Sequence, residues 1–282
     1  MFHVDSTDGV RLAIHDLGGD GPPLLLSHAT GFHGLVWAPL AATLATRYHS
    51  WSLDYRGHGD STEPADGSFD WGGAGADAWA AVRAVRGTGP SGPLFGLGHS
   101  MGGAALLMAE LDHPGTFAAL ALFEPIVLPP DLPRPEGGPS LAEGARRRRD
   151  VFGSRAEAYE NFAGKPPLNV LAPEALRAYV DHGFADEPDG TVRLKCRGES
   201  EARTYEGSQT HDAFERLAEV RCPVLVLSGS FQPFQPSSWA RQVADNLPRG
   251  TFARLDDIGH FGPMEDPDEV AGVVADYFAG VA

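Results

Sequence analysis

The sequence predicts an α/β protein whose mostly parallel sheet has helices on both faces and is interrupted by one inserted segment. Short apolar runs alternate with amphipathic stretches over residues 1–128, as strands and helices do in such proteins. A proline-rich linker at 129–139 ends this alternation, and helical patterns then dominate up to about residue 209. Alternation resumes at Pro223, so the chain leaves the sheet and returns to it. We therefore predict a core of 1–128 and 211–282 and a cap, or lid, of 129–210.

The first part of the core contains five predicted strands and three predicted helices. The run Pro23–Ser27 is short and aliphatic, which indicates a strand buried on both faces. The stretch Pro39–Arg47 places Leu40 and Leu44 on one face, as an amphipathic helix does. The last helix stops near Pro114, because proline cannot continue the hydrogen-bond ladder. The strands are Arg11–Leu17, Pro23–Ser27, His49–Leu53, Leu94–Leu97 and Phe117–Phe123, and the helices are Pro39–Arg47, Asp77–Val85 and Met101–Asp112.

The cap and the second part of the core are predicted mainly as helices, with two further strands. In the cap, the adjacent arginines Arg146–Arg149 fall in a helical stretch. Consecutive positions of a helix cannot share one face, so we interpret them as a solvated, salt-bridged surface, with an anion site as the alternative. The cap helices are Leu141–Phe152, Ala156–Phe162, Pro173–His182 and Glu199–Tyr205. In the second part of the core, strands Pro223–Ser228 and Thr251–Leu255 alternate with helices Ser237–Asn246 and Asp268–Phe278.

Composition limits the partners and the location that the sequence predicts. Lys and Arg total 22 against 38 Asp and Glu, for a net charge of −16. Such an acidic surface disfavours nucleic acid and membrane surfaces as partners, although it allows a locally basic pocket. The first residues lack the basic and apolar regions of a signal peptide, and Cys196 and Cys222 form no C-x-x-C pattern. We predict a cytoplasmic protein with a small-molecule partner, and a homodimer remains open.

The segment Gly98-His99-Ser100-Met101-Gly102 fits the pattern G-x-S-x-G and stands between a predicted strand and a predicted helix. A serine at such a sharp turn has a strained backbone and an exposed Oγ. A Cβ at either flanking glycine would clash across the turn. The helix N-terminus behind the turn also favours negative charge at the reaction centre. This context predicts that Ser100 is a nucleophile, although the pentapeptide alone also occurs as a structural turn.

Four segments together resemble a known family. They are Ser27–Phe32 with Trp37 after it, Asp54–Ser61, Gly96–Gly103, and Gly259-His260 followed by Glu265-Asp266-Pro267. In this order they resemble the oxyanion segment, the D-x-R-G-x-G-x-S turn, the nucleophile region, and the histidine loop with the final helix of the α/β-hydrolase superfamily. The resemblance covers nearly the whole chain except the cap. It implies the α/β-hydrolase fold with a helical cap insertion, and a serine hydrolase, although it specifies the fold better than the reaction.

The resemblance also assigns roles to individual residues. His260 stands at the position of the general base, and the backbone N–H groups of Met101 and Thr30 stand where the oxyanion hole forms. Ala29 replaces the glycine that is usual beside Thr30, whose hydroxyl either adds a donor or points to solvent. Three other histidines receive structural roles: His99 in packing, His58 in the turn and His28 in support of the oxyanion segment.

The acid of the triad is where this sequence departs from the family. Relatives usually carry Asp shortly after the strand that corresponds to Pro223–Ser228, and Gln232 stands there instead. Glutamine cannot stabilise an imidazolium by charge. Glu124 closes the strand Phe117–Phe123, after which haloalkane dehalogenases and some lipases carry their acid. We therefore predict Glu124 as the acid; a structural Glu-Pro, with an acid-free or water-mediated dyad, is the alternative.

Aromatic residues predict the character of the substrate pocket. Six are candidates for substrate contact, and they are Phe32, Trp37, Phe231 and Phe234 in the core and Tyr159 and Phe162 in the cap. Such side chains suit an apolar acyl or leaving group, although the cap aromatics would equally form a small core of the cap.

A serine, a histidine, an acid and an oxyanion hole are the machinery of acyl transfer. We predict hydrolysis of a carboxylic ester or lactone of a small apolar acid through an acyl-enzyme. Alternatives on the same site are C–C bond hydrolysis, perhydrolase chemistry or a tailoring step, and a non-catalytic relative that Gln232 makes conceivable. The sequence has no H-E-x-x-H, EF-hand or Cys/His cluster, and Gly72-Gly73-Ala74-Gly75 is not followed by the Gly-Lys of a phosphate loop. No metal or cofactor is predicted.

Overall fold

The computed structural model describes residues 1–132 and 140–281, which form an eight-stranded sheet and a smaller three-stranded one. Residues 133–139 of the predicted linker lie outside the described residues. The strands are β1 (Phe2–Asp5), β2 (Arg11–Gly18), β3 (Pro23–Ser27), β4 (His49–Leu53), β5 (Phe95–His99), β6 (Ala119–Phe123), β7 (Val151–Phe152), β8 (Phe184–Asp186), β9 (Val192–Leu194), β10 (Val224–Ser228) and β11 (Gly250–Arg254). The α-helices are α1 (Ala38–Leu44), α2 (Trp71–Thr88), α3 (Met101–Asp112), α4 (Leu141–Arg147), α5 (Arg155–Ala163), α6 (Pro173–Gly183), α7 (Gly198–Glu206), α8 (Ala240–Asn246), α9 (Gly262–Glu265) and α10 (Pro267–Val281).

The large sheet has the strand order β1-β2-β4-β3-β5-β6-β10-β11. Strand β2 runs antiparallel to both β1 and β4, and the strands from β4 to β11 in this order are parallel. The predicted mostly parallel sheet is confirmed. Strand β1 was not predicted, because its four residues are too short to show a clear alternation.

The register of the parallel strands places three loops beside one another. Gly98 pairs with Leu122 in neighbouring β5 and β6, and Phe123 pairs with Leu227 in β6 and β10. The carboxyl ends of β5, β6 and β10 therefore meet at one edge of the sheet, where open α/β sheets place their functional loops.

Helices cover both faces of the sheet, and an apolar layer lies on each side. Strand β3 shows this directly, because Leu25 packs into one layer while Leu24 and Leu26 pack into the other. Helices α2, α3 and α8 contribute to the first layer, and α1 and α10 contribute to the second. This two-sided burial explains why the parallel strands appear as continuous apolar runs in the sequence.

Helix α2 is twice as long as its predicted counterpart, Asp77–Val85. The helix begins after Asp70, whose side chain accepts a hydrogen bond from Gly73 N–H (3.0 Å). Its glycine-rich first turns hid this start from sequence reasoning, since glycine weakens a helical pattern. They allow close packing: a Cβ at Gly73 would overlap the Arg56 guanidinium.

The segment predicted as the cap contains helices α4 to α7 and also the antiparallel sheet β7-β9-β8. The predicted helix Leu141–Phe152 ends at Arg147, because Arg148 is extended (φ −66°, ψ 145°), and Val151–Phe152 forms a strand instead. Strands of two and three residues give no usable alternation, so this sheet was not predicted. The segment is joined to the core by backbone contacts, including Ala172 N–H to Met264 O at 2.8 Å. None of the described helices is long and apolar enough to cross a membrane.

Candidate active site

Ser100 lies between the end of β5 and the start of α3 with a strained backbone (φ 55°, ψ −116°). The turn is too tight for larger neighbours. A Cβ at Gly98 would lie 2.6 Å from Gly103 Cα, and a Cβ at Gly102 would overlap Ser27 O. The surrounding structure thus fixes the serine in a conformation that non-glycine residues rarely adopt.

Backbone hydrogen bonds join the serine turn to the loop after β6. Ser100 N–H donates to Phe123 O (3.0 Å), and Ile126 N–H donates to Ser100 O (3.2 Å). Because these bonds lie on either side of Glu124, that residue is held next to the serine turn.

Glu124 and His260 form the closest acid–imidazole pair at this edge of the sheet. Glu124 Oε2 lies 2.6 Å from His260 Nδ1, and Glu124 Oε1 accepts a hydrogen bond from Gly229 N–H (2.9 Å). The carboxyl group is buried, and the Glu124 backbone has a positive φ of 45°. An ionised carboxylate only accepts hydrogen bonds, so this geometry places the imidazole proton on Nδ1 and leaves Nε2 as a free base.

Gln232 lies in an exposed part of the loop that follows β10. Its backbone N–H donates to Ser237 Oγ (2.9 Å). This loop usually supplies the acid in the family. Here it contributes Gly229 N–H instead, which donates to the second carboxylate oxygen of Glu124.

Glu265 and His99 hold the His260 loop through hydrogen bonds to its backbone. Glu265 accepts from Gly259 N–H (2.8 Å) with one oxygen and from Phe261 N–H (3.0 Å) with the other. His99 Nε2 lies 2.8 Å from His260 O. The family position of Glu265 was recognised from the sequence, but its bonds to both neighbours of His260 required the structure.

His99 does more than pack against its neighbours. Burial and the neighbouring His260 hold the pKa of His99 well below its ordinary value of 6.5. The ring is therefore neutral, and its Nε2–H donates to His260 O. Its Nδ1 is buried without a hydrogen-bond partner among the described residues.

Thr30 and Met101 lie side by side on the predicted oxyanion segment and at the start of α3. The Thr30 hydroxyl donates to Met101 Sδ (3.4 Å), and Thr30 is buried, so its side chain does not point to solvent. The N–H groups that follow Thr30 are occupied: Gly31 N–H donates to His58 Nε2 (3.0 Å) and Phe32 N–H donates to Ala29 O (3.1 Å). Within the described chain, the backbone N–H of Thr30 has no such partner.

Two buried histidines support this segment. His28 Nδ1 lies 2.7 Å from Ala29 O, and its Nε2 accepts from Tyr55 N–H (3.0 Å). Burial lowers the pKa of His28 to about 3 and that of His58 to about 4. Both rings are neutral and accept from backbone N–H groups, so they fix the backbone around Thr30.

The six aromatic candidates do not form a single group. Phe32 contacts Phe261 (ring centroids 5.5 Å apart) and His99 (6.3 Å) beside the serine turn. It also contacts Tyr179 of the segment predicted as the cap (5.3 Å), which in turn contacts Phe162 (5.7 Å). We call Phe32, Phe162, Tyr179 and Phe261 the aromatic wall.

The remaining candidates lie elsewhere. Trp37 is fully buried in the core, where it offers no surface to a substrate. Phe231 and Phe234 are exposed on the loop after β10, and no ring contact among the described residues joins them to Phe32. Tyr159 is half-buried with the Arg177 guanidinium over its ring, 4.7 Å from the centroid.

The sequence matches the Alpha/beta hydrolase family over residues 24–273, and the chain belongs to this family. The family and the fold class that the sequence motifs predicted are confirmed. Among the described residues, no group of three His, Cys, Asp or Glu side chains is arranged to hold a metal ion.

Relatives with different names cover most of the chain. The magnesium-chelatase 30 kDa subunit of Rhodobacter capsulatus is 29% identical over 281 residues, with 93% of this chain and 88% of the relative covered. A pimeloyl-[acyl-carrier protein] methyl ester esterase of Chromobacterium violaceum is 27% identical over 248 residues, with 86% and 88% covered. The crystal structure of E-2-(acetamidomethylene)succinate hydrolase has a TM-score of 0.77 at 19% identity, with 99% of both chains covered.

Proposed function

We propose that this α/β hydrolase is a serine hydrolase that cleaves a carboxylic ester or lactone through an acyl-enzyme. The observation that carries the proposal is the pair of Glu124 Oε2 and His260 Nδ1, 2.6 Å apart beside a serine held in a strained elbow. The esterase among the relatives, 27% identical, supports an ester as the substrate.

In the proposed reaction, His260 Nε2 takes the proton of Ser100 Oγ while the oxygen adds to the carbonyl carbon. The negative charge that forms on the carbonyl oxygen is stabilised by the N–H groups of Thr30 and Met101. The imidazolium then donates its proton to the leaving oxygen, and the ester bond breaks. Water releases the acyl group by the same steps in reverse.

Glu124 takes the part that aspartate has in most relatives. Its carboxylate orients the imidazole and stabilises the imidazolium, while Gly229 N–H keeps the carboxyl group in place. No hydrogen bond joins Ser100 Oγ to His260 among the described residues. Such bonds are often long without substrate and tighten when it binds.

Two further features support parts of this proposal. Within the aromatic wall, Phe32 and Tyr179 are buried, whereas Phe162 and Phe261 are partly exposed and provide apolar surface that suits a partly apolar substrate. Cys196 and Cys222 are both buried free thiols, which fits a reducing, cytoplasmic location.

The test is turnover of p-nitrophenyl acetate and p-nitrophenyl butyrate by the wild type and by Ser100→Ala. We expect turnover by the wild type and its loss in the variant, with unchanged circular dichroism. An inert wild type that also fails to react with a fluorophosphonate would contradict the proposal.

The second candidate function is one that uses the same fold but does not hydrolyse an ester. The 29% identity to a protein named as a magnesium-chelatase subunit favours it. Labelling separates the two candidates, because a fluorophosphonate marks Ser100 only if the serine is activated. C–C bond hydrolysis would instead appear as activity on vinylogous diketones with little activity on simple esters.

A further inference from the structure

The four adjacent arginines of the cap have different environments. Three of them lie at the surface in ion pairs with acidic residues of the cap, and these are Arg146 with Glu199 and Glu206, Arg147 with Glu143, and Arg149 with Glu157. The fourth, Arg148, turns inward and is 23% exposed. It lies just beyond the end of α4 in an extended conformation, which removes its side chain from the helix surface.

Arg148 uses only part of its hydrogen-bonding capacity. Its Nη1 lies 2.7 Å from Glu201 Oε2, and its Nη2 donates to Cys196 O (3.4 Å). Its Nε is buried without a partner among the described residues. A guanidinium has five N–H donors in a planar fork that fits a carboxylate, so this group can accept a further anionic ligand.

The Arg148–Glu201 pair lies directly on the oxyanion segment. A Cβ at Gly31 would be 2.5 Å from Glu201 Oε1 and 3.8 Å from Arg148 Nη1. Gly31 has a positive φ of 81° and follows Thr30, one of the two oxyanion donors in the proposed function. The pair therefore lies against the backbone of the segment that carries Thr30.

Glu201 is the carboxylate with which a ligand would compete for Arg148. It is largely buried, and burial raises the pKa of its carboxyl group although the Arg148 charge opposes this shift. Once protonated, Glu201 no longer competes for the guanidinium. A second carboxylate would then take its place, with uptake of one proton by the protein.

We propose that Arg148 binds a carboxylate in the acyl part of the substrate, and that this selects monoesters of short dicarboxylic acids. The inference rests on the proposed function, because it places the scissile carbonyl next to Thr30. In such a substrate, only a few bonds separate the carbonyl from the carboxylate. This short separation matches the position of Arg148 against Gly31, the residue that follows Thr30.

The test compares two nearly isosteric esters, monomethyl succinate and methyl butyrate, which differ by a carboxylate in place of a methyl group. Their dissociation constants are measured by calorimetry on Ser100→Ala, which cannot hydrolyse them by the proposed mechanism. We expect monomethyl succinate to bind about tenfold to a hundredfold more tightly, as a charge-assisted hydrogen bond provides.

Variants in the Ser100→Ala background assign this preference to Arg148. Arg148→Gln together with Glu201→Gln replaces the ion pair by two neutral amide side chains, and the preference should disappear. Glu201→Gln alone removes the competing carboxylate, so it should strengthen the preference. Arg146→Gln, two positions away at the surface, is the matched control and should leave the preference unchanged.

Equal affinity for the two esters, or a preference that persists in the Arg148→Gln/Glu201→Gln protein, would overturn the inference. A merely structural ion pair would change the binding of both esters alike. Binding to Ser100→Ala needs no catalysis, so this result is independent of whether the wild type turns over any ester. Failure of the proposed function is seen separately, as absence of turnover and of fluorophosphonate labelling.

Discussion

At the scale of single residues, the proposed triad takes its carboxylate from an uncommon place. Glu124 reaches His260 from the end of β6, and its second oxygen is bound by Gly229 N–H at the end of β10. The additional methylene of glutamate relative to aspartate and a positive φ of 45° together direct the carboxyl group toward both partners. The proposed acid is thereby held by residues at the ends of two neighbouring strands.

Glu124→Gln should lower kcat by at least about tenfold, and by up to about 10⁴, because an amide cannot stabilise the imidazolium by charge. Steady-state kinetics with p-nitrophenyl butyrate measures the effect, and circular dichroism verifies the fold. Gln232→Ala is the control and should change kcat little. If Gln232→Ala had the larger effect, Glu124 would not be the acid.

The serine turn gives a prediction on stability. Gly102→Ala should lower the free energy of unfolding by about 1–3 kcal/mol, because the new Cβ overlaps Ser27 O. Gly144→Ala is a matched control in α4, where a Cβ meets no atom within 4 Å and alanine favours the helix. Urea denaturation measures both variants. Equal stability of the two variants would mean that the turn is not as tight as described.

At the scale of elements, the loop that carries His260 is held from both ends. Glu265, at the end of the short helix α9, accepts from the N–H groups before and after His260. His99, at the end of β5, binds the carbonyl of His260 itself. The loop is therefore attached to the sheet and to the helix that follows it, which keeps the imidazole in register with Glu124.

Glu265→Ala should reduce kcat more than Glu265→Gln, because glutamine keeps one of the two acceptor oxygens and alanine keeps neither. We expect a loss of about 1–3 kcal/mol in the free energy of unfolding for the alanine variant, as two N–H groups lose their partner. Kinetics and urea denaturation are compared for the two variants. Glu269→Ala, on the exposed surface of α10, is the control. Identical kinetics of both Glu265 variants and the control would argue against this anchoring.

At the scale of the whole molecule, the buried neutral histidines that support the oxyanion segment make the free energy of unfolding depend on pH. The pKa of His58 in the folded protein is lowered to about 4, while the unfolded chain has the ordinary value of 6.5. Between these values the unfolded state binds more protons, so the free energy of unfolding falls as the pH falls from about 6.5 to about 4. His28 adds to the same trend down to about pH 3.

His58→Asn should therefore make the free energy of unfolding less dependent on pH between 6.5 and 4. Asparagine does not titrate in this range, and its amide N–H can replace the contact of the ring Nδ1 with Arg56 O (2.9 Å). Urea denaturation at four pH values across the interval measures the slope. His3→Gln removes an exposed histidine and should leave the slope as in the wild type. An unchanged slope in His58→Asn would contradict the assignment of this ring as buried and neutral.

The sequence by itself determined the features that depend on neighbours along the chain. Strand–helix alternation predicted the sheet. The bounds of α3, Met101–Asp112, were also predicted correctly, because the strand and the tight turn before this helix mark its start within a few residues. The same local patterns identified the family through its motifs. Short strands such as β7 and β8 were missed, since they contain too few residues for a periodic signal.

Only the tertiary structure decided which distant residues meet. The register of β5, β6 and β10 brings Glu124, and not Gln232, to His260 Nδ1. One residue of extended backbone after α4 turns Arg148 inward, away from the other three arginines. Packing likewise buries Trp37 completely, although its position in the sequence suggested a substrate contact. The physical reason is the same in each case: contacts between remote segments depend on strand register and side-chain direction, and no local pattern encodes either.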